Sequence, residues 1–235
     1  MAVAFVASNG TGVFDGTGDT LTYTTTRQIE AGEHVVVVSG NNGGSKNILS
    51  VTVGALSLVL DYNPAGFQTH QEVWSARATA TIASGSNVVV ILTSPGVTSC
   101  IHGMCFSLSG VLSSGWVDVT KEGTFTVSTT PSTGATSSTA LAGSIAIGAV
   151  RYSLSSVTTS AAGGYTEIAE INDATANHST QCEYLLLPAT GTQNATWTLS
   201  GNATGDTLIV VYKPASTGAP GDDPPIGFIG RGAGW

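Results

Sequence analysis

LSVTVGALSLVLDYN, residues 49–63, alternates apolar with small or polar side chains through two successive runs. Neighbours along a strand point to opposite faces, so Leu49, Val51 and Val53 fall on one side of the first run. Leu56, Leu58, Leu60 and Tyr62 do the same in the second. Outward from this stretch the pattern recurs: Leu21 and Tyr23 in LTYTTT, Met104, Phe106 and Leu108 in MCFSLSG, and Ile145 and Ile147 in SIAIG. It continues with Ala195, Trp197 and Leu199 in ATWTLSG and with Leu208, Val210 and Tyr212 in TLIVVYK. Thr and Ser fill the opposite faces, which describes strands with one buried side. The intervening GNNGG (40–44), NPAG (63–66), ASGSN (83–87), AAGG (161–164) and GNATGD (201–206) supply the positive-φ and Asx-turn chemistry of tight connections. No segment carries a helical period. The expectation is an all-β antiparallel sandwich of roughly ten to twelve strands. Leu21, Tyr23, Val51, Leu58, Phe106, Ile147, Trp197, Leu199 and Val210 should be buried between two sheets.

Similar segments recur at an offset of about a hundred residues, a separation that suggests duplicated halves. LTYTTT (21–26) resembles FTVSTT (125–130), and VVVVSG (35–40) falls opposite IAIGAV (145–150). LSLVLDYN (56–63) falls opposite YTEIAEIN (165–172), and NVVVILTS (87–94) opposite NATWTLSG (194–201). Repeats over 20–111 and 124–213 fit tandem immunoglobulin-like sandwiches or one jelly-roll-like sandwich. The connector 111–123 contains Val111, Trp116, Val117 and Val119 and no proline, which favours a single packed domain over 1–213. Residues 214–235 break the pattern with Pro and Gly, yet they carry Ile226, Phe228, Ile229 and Trp235. They read as a C-terminal arm whose apolar side chains dock on a neighbouring subunit.

Hydrophobic residues make up 41% of the 235 and charged ones 9%, so this is not a disordered, solvating chain. Seven Lys or Arg against fifteen Asp or Glu give a net charge of -8, which leaves no basic stripe for nucleic acid. No apolar run reaches the roughly 18–20 residues of a membrane span, and the N-terminus lacks the pattern of a secretory leader.

Chemistry is sparse. His34, His70 and His178 read as surface or edge histidines. Cys100, His102 and Cys105 form C-x-H-x-x-C, three soft ligand types, but MCFSLSG reads as an alternating strand and no partner motif supplies a fourth ligand. The three cysteines therefore read as buried or half-buried thiols, with no metal and no cofactor. Asp15 and Asp19 lie in a Gly-rich turn without the calcium-loop pattern. Glu167 and Glu170, with Asp173 close by, would suit a glycosidase only if they converged, and residues three apart on a regular strand do not. No catalytic residue is assigned. Trp74, Tyr152 and Tyr165 are candidates for stacking on a glycan, against a core reading of each.

The succession MAVAFVAS…GTGDTLTYTTT, HVVVVSG, LSVTVGALSLVL, EVWSARAT and FSLSGV resembles β-sandwich proteins encoded among bacteriophage and prophage structural genes, over roughly residues 1–213. The resemblance implies a jelly-roll-like fold and a virion surface or tail-associated role, and it carries no functional residue. The expected function is that of a non-enzymatic virion structural protein: a capsid decoration, head-fibre or tail-surface component. It would be assembled in the host cytoplasm and partnered by other virion proteins and copies of itself. The other class is a carbohydrate-binding or adhesin module that holds a glycan in its loops.

Overall fold

The computed structural model describes residues 1–41, 47–64, 70–93, 98–137 and 141–215. Sixteen strands and no helix occur among them, more strands than the turn spacing predicts. The first half supplies β1 (Ala4–Thr17), β2 (Thr20–Thr24), β3 (His34–Asn41), β4 (Ile48–Val53), β5 (Leu56–Ser57), β6 (Val59–Tyr62), β7 (His70–Arg77), β8 (Asn87–Leu92) and β9 (Thr98–Ser109). The second supplies β10 (Val117–Ser128), β11 (Ile145–Ser153), β12 (Thr159–Ala161), β13 (Thr166–Asp173), β14 (His178–Leu186), β15 (Trp197–Leu199) and β16 (Ala203–Tyr212).

The first half winds between two antiparallel sheets, β1-β9-β3-β7-β6 and β2-β8-β4-β5. This is the double-sheet winding of a jelly roll, with β6 added at one edge. The second half repeats the order of the five-stranded sheet as β10-β16-β11-β14-β13, and its outer pair is β12-β15. VVVVSG and IAIGAV occupy the same place in the two sheets, as do LSLVLDYN and YTEIAEIN, while β15 stands where β8 does. FTVSTT instead falls at the end of β10. The stretch 129–133 bonds to 195–199 as β2 bonds to β8: Leu199 N–H donates to the Thr129 carbonyl, Trp197 N–H to that of Pro131, and Thr133 N–H to that of Ala195.

The core is three apolar slabs between four layers. Leu21, Tyr23, Val51 and Leu58 fill the slab between the two first-half sheets. Phe106, Ile147 and Val210 fill the slab where the two five-stranded sheets face each other. Trp197 and Leu199 fill the slab beneath β12 and β15. All nine side chains expected in the core are buried. The inner strands are covered on both faces, so β3 and β11 lose the alternation that one buried side would impose. Val36 and Val38 enter the central slab, while Val35 and Val37 enter the first-half slab. Ser107 is likewise buried, its hydroxyl 2.7 Å from Arg27 Nη2.

Two other apolar residues of the alternating runs, outside those nine, are exposed. Leu49 is 62% exposed because β4 shifts register against β8 between Ile48 and Ser50, which sends Ile48 inward instead. Leu60 is 45% exposed because the chain leaves the outer sheet after Ser57 and joins the edge of the inner sheet at Val59. The connector is packed: Val111 bridges Pro214, Lys213 N–H donates to the Trp116 carbonyl, and Trp116 and Val117 lie against the central slab.

Candidate functional site

A polar cluster closes the central slab at the end where β9 begins. Cys100 and His102, two residues apart on β9, share the face turned towards the second half. Asp173 ends β13, Thr180 lies on β14, and Arg151 on β11 is the cross-strand partner of Asp206 on β16. Cys100 Sγ is 2.9 Å from His102 Nε2 and donates to Asp173 Oδ2 at 3.0 Å. His102 Nε2 is 3.6 Å from the same carboxylate oxygen, and Nδ1 is 2.9 Å from Thr180 Oγ1. The other oxygen, Asp173 Oδ1, accepts the N–H groups of Thr175 at 2.9 Å and Ala176 at 3.1 Å. Cys100, His102, Asp173 and Arg151 are all buried.

Burial lowers the His102 imidazole to a pKa of about 3, and the nearby Arg151 charge acts in the same direction, so the ring is neutral at pH 7. Burial alone would raise the Asp173 carboxyl. The Cys100 thiol, the N–H groups of Ala176 and Thr175, and His102 together hold it below the ordinary value, so it is a carboxylate. Burial lowers Arg151 to about 10 against the opposing pull of Cys100, Asp206 and Asp173, which leaves it a cation. Its Nε, Nη1 and Nη2 have no hydrogen-bond partner among the described residues.

This is not a Cys–His–acid catalytic arrangement. In such a triad the acid holds the ring nitrogen that faces away from the nucleophile. Here thiol and carboxylate meet at one nitrogen, and Thr180 holds the other. What converges is a set of three ligand atoms, all within 4.8 Å of one another.

The pair Cys100 and His102 was visible in the sequence, but Cys105 does not belong with them. Strand parity turns it into the first-half slab. Asp173 and Thr180 join the pair from strands more than seventy residues away, and no local pattern points to them. Glu167 and Glu170 do share a face, contrary to the parity expectation. A register shift lies between Glu167 and Ala169, so Glu167 pairs with Glu183 and Glu170 with Gln181, two positions of equal parity on β14. Glu167 Oε2 accepts from Gln181 Nε2 at 2.8 Å, and burial followed by the Glu167 charge raises Glu183 to a pKa of about 9.

His34 is a buried core residue, with Nε2 2.8 Å from Ser75 Oγ. His70 and His178 begin strands β7 and β14. Asp19 accepts from the Thr20 hydroxyl at 3.0 Å, and its carbonyl receives Leu92 N–H. The three aromatics read as sugar platforms are core residues: Trp74 is 8%, Tyr152 1% and Tyr165 8% exposed. Trp74 Nε1 donates to Glu72 and the Tyr152 hydroxyl to the Val157 carbonyl, and the burial of all three supports the core reading of each.

The arm residues Ile226, Phe228, Ile229 and Trp235 lie outside the described residues. The chain leading to them is anchored: Ala215 N–H donates to the Gly110 carbonyl at 2.6 Å, and the Met1 ammonium donates to the Ala215 carbonyl at 3.2 Å. Met1, Ala2, Leu141, Ala142, Gly143 and Pro214 line a mainly apolar hollow beside this point. No protein-family profile matches the chain, and no curated protein sequence matches it.

Proposed function

We propose that the protein is a non-enzymatic structural component of a bacteriophage particle, a capsid decoration, head-fibre or tail-surface protein that assembles with copies of itself and other virion proteins. The observation that carries the reading is the anchored exit of the chain at Pro214 and Ala215, beside an apolar hollow. The twenty residues that follow carry Ile226, Phe228, Ile229 and Trp235. At about 3.1 Å per residue they have a reach of up to ~60 Å from that fixed point, enough to cross a neighbouring subunit. Apolar anchors on a tether that starts from a rigid body suit docking onto a second subunit. The repeated order of the five-stranded sheets supports the duplication expected from the sequence. Inner strands covered on both faces suit a scaffold that holds its shape under load.

Deletion of residues 220–235 tests this reading. The truncated chain should melt at the wild-type temperature and fail to join its oligomer or particle, as read by light scattering and by incorporation into assembled particles. Normal assembly of the truncated chain refutes the role of the arm. Saturable binding of the truncated chain on a glycan array would place it in the adhesin class instead.

A further inference from the structure

We propose that Cys100 Sγ, His102 Nε2 and Asp173 Oδ2 bind one divalent cation of the zinc class, which ties the first sandwich to the second. The mutual distances are 2.9, 3.0 and 3.6 Å. Zinc bonds of about 2.3 Å to sulfur, 2.0–2.1 Å to nitrogen and 2.0–2.2 Å to oxygen give tetrahedral edges of about 3.4–3.6 Å. The His102–Asp173 edge is therefore at its working length already. Only the thiol corner has to open, by roughly 0.6–0.7 Å on that geometry. Thiolate and imidazole select a borderline-soft ion over calcium or magnesium.

The second ring of contacts is that of a ligated metal. In the ligated state Nδ1 carries the ring proton and donates to Thr180 Oγ1, 2.9 Å away, which turns the Nε2 lone pair to the ion. Two backbone N–H groups hold Asp173 Oδ1, and Oδ2, which accepts the Cys100 thiol, turns to the ion once that proton has left. On binding, the S–H bond of Cys100 breaks, its proton leaves to solvent, and the sulfur pair forms the metal bond. Thiolate and carboxylate then neutralise the dication. Entry runs past the exposed turn residues Ala174 and Thr175 beside Asp173.

A plain hydrogen-bonded core network accounts for the Cys100–Asp173 and His102–Thr180 contacts but leaves the Arg151 donors without an acceptor. That guanidinium is fully buried, interacts electrostatically with Cys100, Asp206 and Asp173, and has no hydrogen-bond acceptor among the described residues. A chloride ion in the fourth coordination position would supply such an acceptor and leave the thiol proton as the one released.

The test uses the full chain, stripped with a chelator under reducing conditions and titrated with Co²⁺. One equivalent should bring in a cobalt–thiolate charge-transfer band and the intense visible bands of tetrahedral cobalt, with release of one proton. Zn²⁺ should displace the cobalt and raise the melting temperature. The double variant C105S/C182S, in which Cys100 is the remaining thiol, should keep the band. C100S should lose it, and D173N should weaken cobalt binding by more than about tenfold. Absence of the charge-transfer band in the wild-type chain at saturating cobalt overturns the proposal, however the variants fold. Loss of the band in a folded C105S/C182S variant, or its survival in C100S, overturns the assignment.

Discussion

Asp61 joins the two halves at the end of the central slab opposite the Cys100 cluster, and its replacement by Ala measures what that joint contributes. It lies on β6 and accepts from the Ser75 hydroxyl, from Trp116 Nε1 at 2.8 Å and from the Tyr212 hydroxyl at 2.7 Å. In Asp61→Ala the three donors fare differently. Ser75 keeps His34 as a partner, and Trp116 is only partly buried and can reach water. The Tyr212 hydroxyl, on a fully buried residue, loses its carboxylate acceptor and keeps only the Ser75 hydroxyl beside it, which costs about 1–3 kcal/mol. Loss of the charge-assisted bond from Trp116 adds roughly 1 kcal/mol. Relief of burying the carboxylate, whose pKa burial raises, works the other way. The net expectation is a loss of about 1–3 kcal/mol. Urea unfolding at pH 7, followed by tryptophan fluorescence and circular dichroism, measures it. Tyr212→Phe removes the donor that loses its carboxylate, so the double variant should be less destabilised than the sum of the singles, by about 1–2 kcal/mol. A loss below about 0.5 kcal/mol for Asp61→Ala, or an additive cycle, refutes the reasoning.

Between pH 7 and 8 stability should fall. Glu183 has a folded pKa raised from 4.5 to about 9, so the folded state holds a proton that the unfolded state has lost. Stability from this group is complete below the unfolded value and declines through the folded one, by up to about 1.4 kcal/mol per pH unit. His34 and His102, lowered to about 4 and about 3, act only as pH falls below 6.5, where the unfolded state takes up protons first. Glu183→Gln should flatten the decline, and an unchanged slope in chemical unfolding would contradict the assignment. Gly205→Ala should abolish soluble folded protein or cost more than about 3 kcal/mol, since a Cβ there meets the Arg151 carbonyl oxygen at 1.9 Å and Tyr152 Cα at 2.7 Å on the paired strand. Gly191→Ala, which meets nothing nearer than Gln193 Nε2 at 3.9 Å, is the control and should change the melting temperature little.

The all-β class and the buried faces of β2, β9, β15 and β16 were legible in the sequence, because alternation is local: each side chain's direction follows from its neighbour's. Of the four segment pairings read as repeats, three fall at corresponding places in the strand orders of the sheets. The exposed Leu49 and Leu60 were not legible, because a bulge or a change of sheet depends on the partner strand. The same limit hid the common face of Glu167 and Glu170. Trp74, Tyr152 and Tyr165 looked equally suited to surface and core, and only the second layer over each sheet decided the matter. Of the polar cluster, the sequence alone carried Cys100 and His102, side by side on one strand face. Asp173, Thr180 and Arg151 became their neighbours only when the two five-stranded sheets packed face to face. That packing is driven by non-directional burial of Val, Ile, Leu and Phe side chains, which fixes where distant strands meet and leaves no trace in local spacing.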